Sequence, residues 1–135
     1  MNDGGVSEVL DAARSYADAG NLLLAAEKFN EAVTVYPSNA TAWYGLGVVQ
    51  ANRGMTNEAI DAFENSHSIS PGHGATAANL AVLLESSNPR RASEMARMAI
   101  EVVGDVDELV RISMLFDHTE AQEEAMLEAA PVEEE

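Results

Sequence analysis

The chain has 135 residues, enough for one domain with a core of its own, and 47% of them are apolar against 22% charged. It has no cysteine, which excludes disulfides, thiolate catalysis and thiolate zinc sites, and its formal charge of −16 argues against nucleic acid and anionic membranes as partners. Alanine and leucine are common and aromatics make up only 5%, a composition that favours helices packed closely through small side chains.

Residues 1–5, Met1-Asn2-Asp3-Gly4-Gly5, carry no basic residue and no apolar run behind them. They do not read as a secretory signal, and a flexible N-terminus is expected there. No stretch of the chain approaches the roughly 20 apolar residues of a membrane span. With no cysteine to oxidise, a cytoplasmic location is the expectation.

The apolar pattern then predicts helices near 6–19, 22–35, 40–53, 57–69, 74–86 and 89–103. Residues recur along them with a step of 34: Gly20 with Gly54, Ala25 with Ala59, Phe29 with Phe63, and Pro37 with Pro71. Such a period in a helical chain means stacked helical hairpins. Gly20 and Gly54 are expected to turn the chain inside each hairpin, and Pro37 and Pro71 to stop each second helix. Ala25, Ala59 and Gly47 allow helices to approach closely, while Phe29 and Phe63 are expected to fill the space between hairpins. Thr56 is predicted to cap the fourth helix, with Glu58 near its positive end. Asn88 followed by Pro89 predicts the start of the sixth.

The third copy is worn. Leu80 and Ala81 follow Leu46 and Gly47 by 34, but Ala92, Ala96 and Ala99 follow Ala59, Phe63 and Ser66 by 33. One residue has been lost from the turn. Ala96 replaces the aromatic, so Met95, Met98 or the following helix is expected to fill its space.

Beyond Gly104, Asp105-x-x-Glu108 matches a capping box, and Val106, Leu109, Val110, Ile112, Met114, Leu115 and Phe116 follow. A helix over about 106–116 would be apolar on most faces, as a helix covering the end of a solenoid must be. Thr119-x-x-Gln122 opens a further weak helix to about Ala129, and Pro131 ends it. Residues 105–135 hold 11 acids and one base, −10 of the total charge. The acidic segment 117–135 is expected to be part helical and part disordered. It has two readings: a solvated tail, or an arm for a basic partner.

The residues Trp43-x-x-Leu46-Gly47, Gly54, Ala59-x-x-x-Phe63 and Pro71 resemble a tetratricopeptide repeat. The first copy shares Tyr16, Gly20, Ala25-x-x-x-Phe29-x-x-Ala32 and Pro37 but has Val9, Ala12 and Ala13 in place of the Trp and Leu-Gly. The resemblance covers residues 6–104, two good copies and one degenerate. It implies an all-α fold, a right-handed solenoid of three helical hairpins with a C-terminal capping helix, the domain running over 6–116.

Catalytic and metal constellations are not apparent. His67, His73 and His118 lie far apart without partners at ligand spacing, and helix capping accounts for Asp105-x-Asp107 better than a metal site does. Neither a phosphate-binding glycine loop nor a serine on a strained turn is present. No cofactor, no metal and no enzymatic activity are therefore expected.

The resemblance implies instead a concave groove lined by the first helix of each hairpin. Its positions are Leu10, Asp11, Arg14, Ala17 and Asp18; Thr41, Tyr44, Gly45, Val48, Ala51 and Asn52; and Ala75, Ala78, Asn79, Val82 and Glu85, of which Leu10, Arg14, Thr41, Tyr44, Gly45, Val48, Asn52, Ala78, Asn79 and Val82 are the candidate binding residues. Tyr44 is suited to anchoring a ligand, Asn52 and Asn79 to meeting a peptide backbone, and Gly45 to leaving a pocket. Tyr44 and Val48 have a second reading, as packing against neighbouring helices. The basic clamp by which chaperone-binding relatives grip a carboxylate would fall on Leu10, Arg14, Gly45, Ala75 and Asn79, of which only Arg14 is basic. The expected function is a protein-interaction module or adaptor for a peptide or helix of apolar or basic character. The alternative is a self-associating scaffold, with a homodimer as its simplest form.

Overall fold

The computed structural model describes residues 4–115 and 127–128. Six helices run in order: α1 (Gly4–Asp18), α2 (Leu22–Val35), α3 (Ala40–Asn52), α4 (Thr56–Ile69), α5 (Gly74–Leu84) and α6 (Pro89–Val103). A seventh helical stretch, α7, occupies 107–115 at the edge of the described residues, and no strand occurs among them. The readings made for residues 116–126 and 129–135 lie outside the described residues; 127–128 are helical.

Each of these six helices packs most extensively on its hairpin partner, α2 and α4 then pack on the first helix of the next hairpin, and α1 also touches α3. This is the contact pattern of a helical-hairpin solenoid, and it follows from the repeated small residues. Ala25, Ala59 and Ala92 are all fully enclosed, each at the same place in the second helix of its hairpin. The core divides into two clusters, one around Leu10, Phe29 and Leu46, the other around Phe63, Leu80, Met95 and Ile112.

The turns follow their sequence signals. Gly20 and Gly54 adopt φ of +81° and +78°, where a Cβ would be strained. Pro37 and Pro71 follow the residues that close α2 and α4, Tyr36 and Ser70, whose N–H groups still bond back to Ala32 and Ser66. Asn88 accepts from the Arg91 N–H at 3.1 Å, and Pro89 opens α6 as predicted.

Four expectations are corrected. The helix α1 begins at Gly4, two residues before its expected start at 6, and a Cβ on Gly5 would collide with the Tyr36 hydroxyl. Thr56 is not a cap: Met55 holds that position without a side-chain bond, and Thr56 is the first helical residue. The working cap that sequence reading missed is Asn39, whose Oδ1 accepts from the Ala42 N–H at 2.8 Å. Third, α7 starts at 107, one residue later than a box opened by Asp105 would have it.

The fourth concerns the third hairpin. The lost residue comes from the end of α5, which stops at Leu84, and the turn to α6 uses no left-handed residue. Met95 and Ile112 of α7 are buried in the same core cluster as Ala96, while Met98 stays on the surface. Ser93 Oγ donates to the Ser113 carbonyl at 2.7 Å, and a bidentate Arg111–Glu85 pair at 2.6 and 3.0 Å joins α7 to the end of α5. The starts of α3, α5 and α7 step by 34 and then 33, so α7 stands where the first helix of a fourth repeat would.

Candidate functional site

The first helices of the hairpins place most of the expected groove residues in two clefts. The larger holds about 450 Å³. Arg14, Ala17 and Asp18 of α1 form one wall, and Thr41, Tyr44 and Val48 of α3 form the other. Its floor is Phe29, Gly45 and Val49, and His73 stands at the far end. The period of 3.6 residues brings Thr41, Tyr44, Gly45 and Val48 to one face of α3.

Tyr44 is held from two sides. Its ring lies 5.6 Å from that of Phe63 and 5.0 Å from that of His73, the latter edge-on. His73 is fixed in turn by a 2.7 Å contact between Nδ1 and Thr76 Oγ1, a hydroxyl that is itself fully buried. The packing reading of Tyr44 is thus present in the structure: its ring meets those of Phe63 and His73, and the residue also lines the cleft. Sequence reading did not place His73 here. The signal was available, because His73 follows Asn39 by one repeat and so occupies the entry to the next inner helix.

Gly45 does not leave a pocket. The Phe29 ring fills the space, with Cζ only 2.5 Å from where a Cβ would stand. Gly47 does the same for Phe63, whose ring atoms would lie 2.7–2.9 Å from its Cβ. Phe29 therefore bridges two hairpins, whereas Phe63 also packs within its own. Leu10 is withdrawn from the site as well, being 5% exposed in the N-terminal core, where Phe29 and Leu46 take its apolar surface.

The smaller cleft holds about 240 Å³ and contains three further expected positions, Ala78, Asn79 and Val82 of α5. Its opposite side is Val103, Val106, Glu108 and Leu109, from the end of α6 and the start of α7. Asn79 is partly engaged: its Nδ2 donates to the Ala75 carbonyl at 2.8 Å, which leaves its oxygen and one N–H. Asn52 is exposed at the end of α3 and lines neither cleft.

Charges around the larger cleft are mixed. Arg14 lies 3.5 Å from Asp11 on the same helix, both well exposed, so this pair is weak. Among the described residues no group of three or more His, Asp or Glu side chains is arranged to hold a metal ion, and no helix is long and apolar enough to cross a membrane.

Residues 10–73 match the sequence model of the tetratricopeptide repeat family. No curated protein sequence matches the chain. Several solved structures are similar to it. MamA is 20% identical with a TM-score of 0.75, over 93% of this chain and 74% of that one. The Yersinia enterocolitica type III secretion chaperone SycD, in complex with a peptide of the translocator YopD, is 15% identical with a TM-score of 0.71, over 91% and 97%. The first TPR of Spaghetti (RPAP3), bound to the HSP90 peptide SRMEEVD, is 10% identical with a TM-score of 0.76, over 87% and 97%. At these identities the likeness speaks for the fold alone.

Proposed function

We propose that this chain, whose residues 10–73 belong to the tetratricopeptide repeat family, is a protein-interaction module that holds a peptide or helix of a partner on the face formed by its inner helices. The observation that carries this reading is the 450 Å³ cleft, apolar at its floor and bordered by Tyr44, Val48, Thr41 and Arg14. A cleft of this size with few, placed polar groups has the character of a ligand site. Two of the similar structures hold peptides, of YopD and of HSP90.

The ligand proposed is apolar or basic rather than an acidic C-terminus. Of the positions where a carboxylate clamp would stand, Leu10 is buried, the space over Gly45 is filled by Phe29, and Asn79 spends one of its two N–H donors on its own helix. Arg14 alone carries positive charge there. The formal charge of −16 points the same way and disfavours nucleic acid and anionic membranes. The reading is of a cytoplasmic adaptor without catalytic activity or cofactor.

Affinity capture from source-cell lysate tests it. Partners retained by the native chain should be lost on Val48→Arg and on Tyr44→Ala while far-ultraviolet circular dichroism stays unchanged. Retention of the same partners by both variants would remove the groove from the account.

A further inference from the structure

The smaller cleft differs from the larger in chemistry, and the difference selects a ligand. Its walls are aliphatic: Val82, Val103 and Val106 are 44%, 47% and 47% exposed, unusually open for valines so close together. Its polar groups are Asn79, whose carboxamide keeps its oxygen and one N–H after the bond to Ala75, and Glu108, a carboxylate that only accepts. Arg111 compensates that carboxylate only in part: its guanidinium forks onto Glu85, and it pairs with Glu108 at 3.9 Å, too far for a hydrogen bond. Asp105 and Asp107 flank Glu108 on the turn into α7, both exposed.

We propose that this cleft takes a lysine or arginine side chain of a partner segment, with the aliphatic stem against Val82, Val103 and Val106 and the cationic head at Glu108 and Asn79. Long basic side chains combine such a stem with such a head, and the carboxylates of Glu108, Asp105 and Asp107 favour a cationic head over a neutral one. The chain's own C-terminal segment is the wrong occupant. Residues 117–135 contain eight acids and neither lysine nor arginine. This proposal rests on the reading of the inner-helix face as the ligand face, and it adds a basic specificity to one end of that face.

The test is a nuclear magnetic resonance titration of the full chain with an acetylated, amidated hexapeptide of alternating leucine and lysine, and with the same peptide carrying glutamine for lysine. The lysine peptide should perturb the amides of Asn79, Val82, Val106 and Glu108, and the glutamine peptide should not. Glu108→Gln should weaken the lysine peptide about three- to five-fold, as loss of an exposed ion pair does. Glu27→Gln removes the same charge from an exposed site on α2 and should leave affinity unchanged. Val82→Arg, at a side chain open enough to tolerate it, should abolish the perturbation by charge and bulk. Equal weakening by Glu27→Gln and Glu108→Gln would reduce the effect to net charge and overturn the proposal. So would the absence of any perturbation at this cleft. Perturbation confined to Tyr44 and Val48 would also overturn it while leaving the proposed function standing.

Discussion

The ring of Phe29, from the second helix of the first hairpin, occupies the place of the side chain that Gly45 lacks on the first helix of the second hairpin. One contact thereby sets the distance between hairpins and closes the floor of the larger cleft. Gly45→Ala would bring a methyl into that ring. The gain in helix propensity, about 1 kcal/mol, is outweighed where the neighbour is a packed aromatic, and a net loss of about 1–2 kcal/mol is expected in urea unfolding. In a Phe29→Leu background the same substitution should cost less, because the smaller side chain yields. Equal costs in both backgrounds would show that the two residues do not meet.

The helix caps separate by structure, not by residue type. Asn39 and Asn88 each accept a backbone N–H, at 2.8 and 3.1 Å, and Thr56 caps nothing. Asn39→Ala and Asn88→Ala should each cost about 1 kcal/mol. Thr56→Ala should stay within about 0.5 kcal/mol of the native chain. A Thr56 cost as large as the other two would place the start of α4 elsewhere.

The attachment of α7 should depend on pH. The Arg111 guanidinium, by direct hydrogen bonds, holds the Glu85 carboxyl below its ordinary value of 4.5. A carboxylate lowered on folding stabilises the fold above its unfolded value, and that contribution is lost as pH falls through the lowered value. Protection of the amides in 109–115, taken as exchange relative to the intrinsic rate at each pH, should therefore fall below about pH 4.5 in the native chain. Glu85→Gln should exchange faster at neutral pH and show a shallower response to acid over the same range. An identical pH response in the two proteins would mean that the pair does not hold α7. The pair is exposed, so added salt should diminish the difference between them.

Much of this architecture was legible because the chain punctuates itself. Gly20, Gly54, Pro37, Pro71 and Asn88-Pro89 each mark a helix end through a local constraint of one or two residues, and all twelve ends of these six helices lie within two residues of expectation. What was not legible depended on partners distant in sequence. That Gly45 is filled rather than open depends on Phe29, sixteen residues away. That Leu10 turns inward while Arg14 and Ala17 line the cleft depends on a small rotation of α1, which the period of 3.6 leaves undetermined. The end of the chain was harder still. Ala96 announced a gap, but that Ile112 of α7 joins its core cluster shows only in the structure. His73 looked like a turn residue because its neighbours are Pro71, Gly72 and Gly74, and its contact with Tyr44 spans almost a full repeat.

The central claim is that partners are held on the inner-helix face, at the cleft of Tyr44 and Val48. The most direct measurement is site-specific photo-crosslinking in source-cell lysate, with a benzophenone side chain at Thr41, which is exposed beside the cleft, and in parallel at Glu27, exposed on α2. The account predicts discrete protein adducts from position 41, their loss when Val48→Arg is added to the same chain, and none of the same adducts from position 27. The same adducts from both positions, or adducts from position 41 that persist with Val48→Arg, would contradict it.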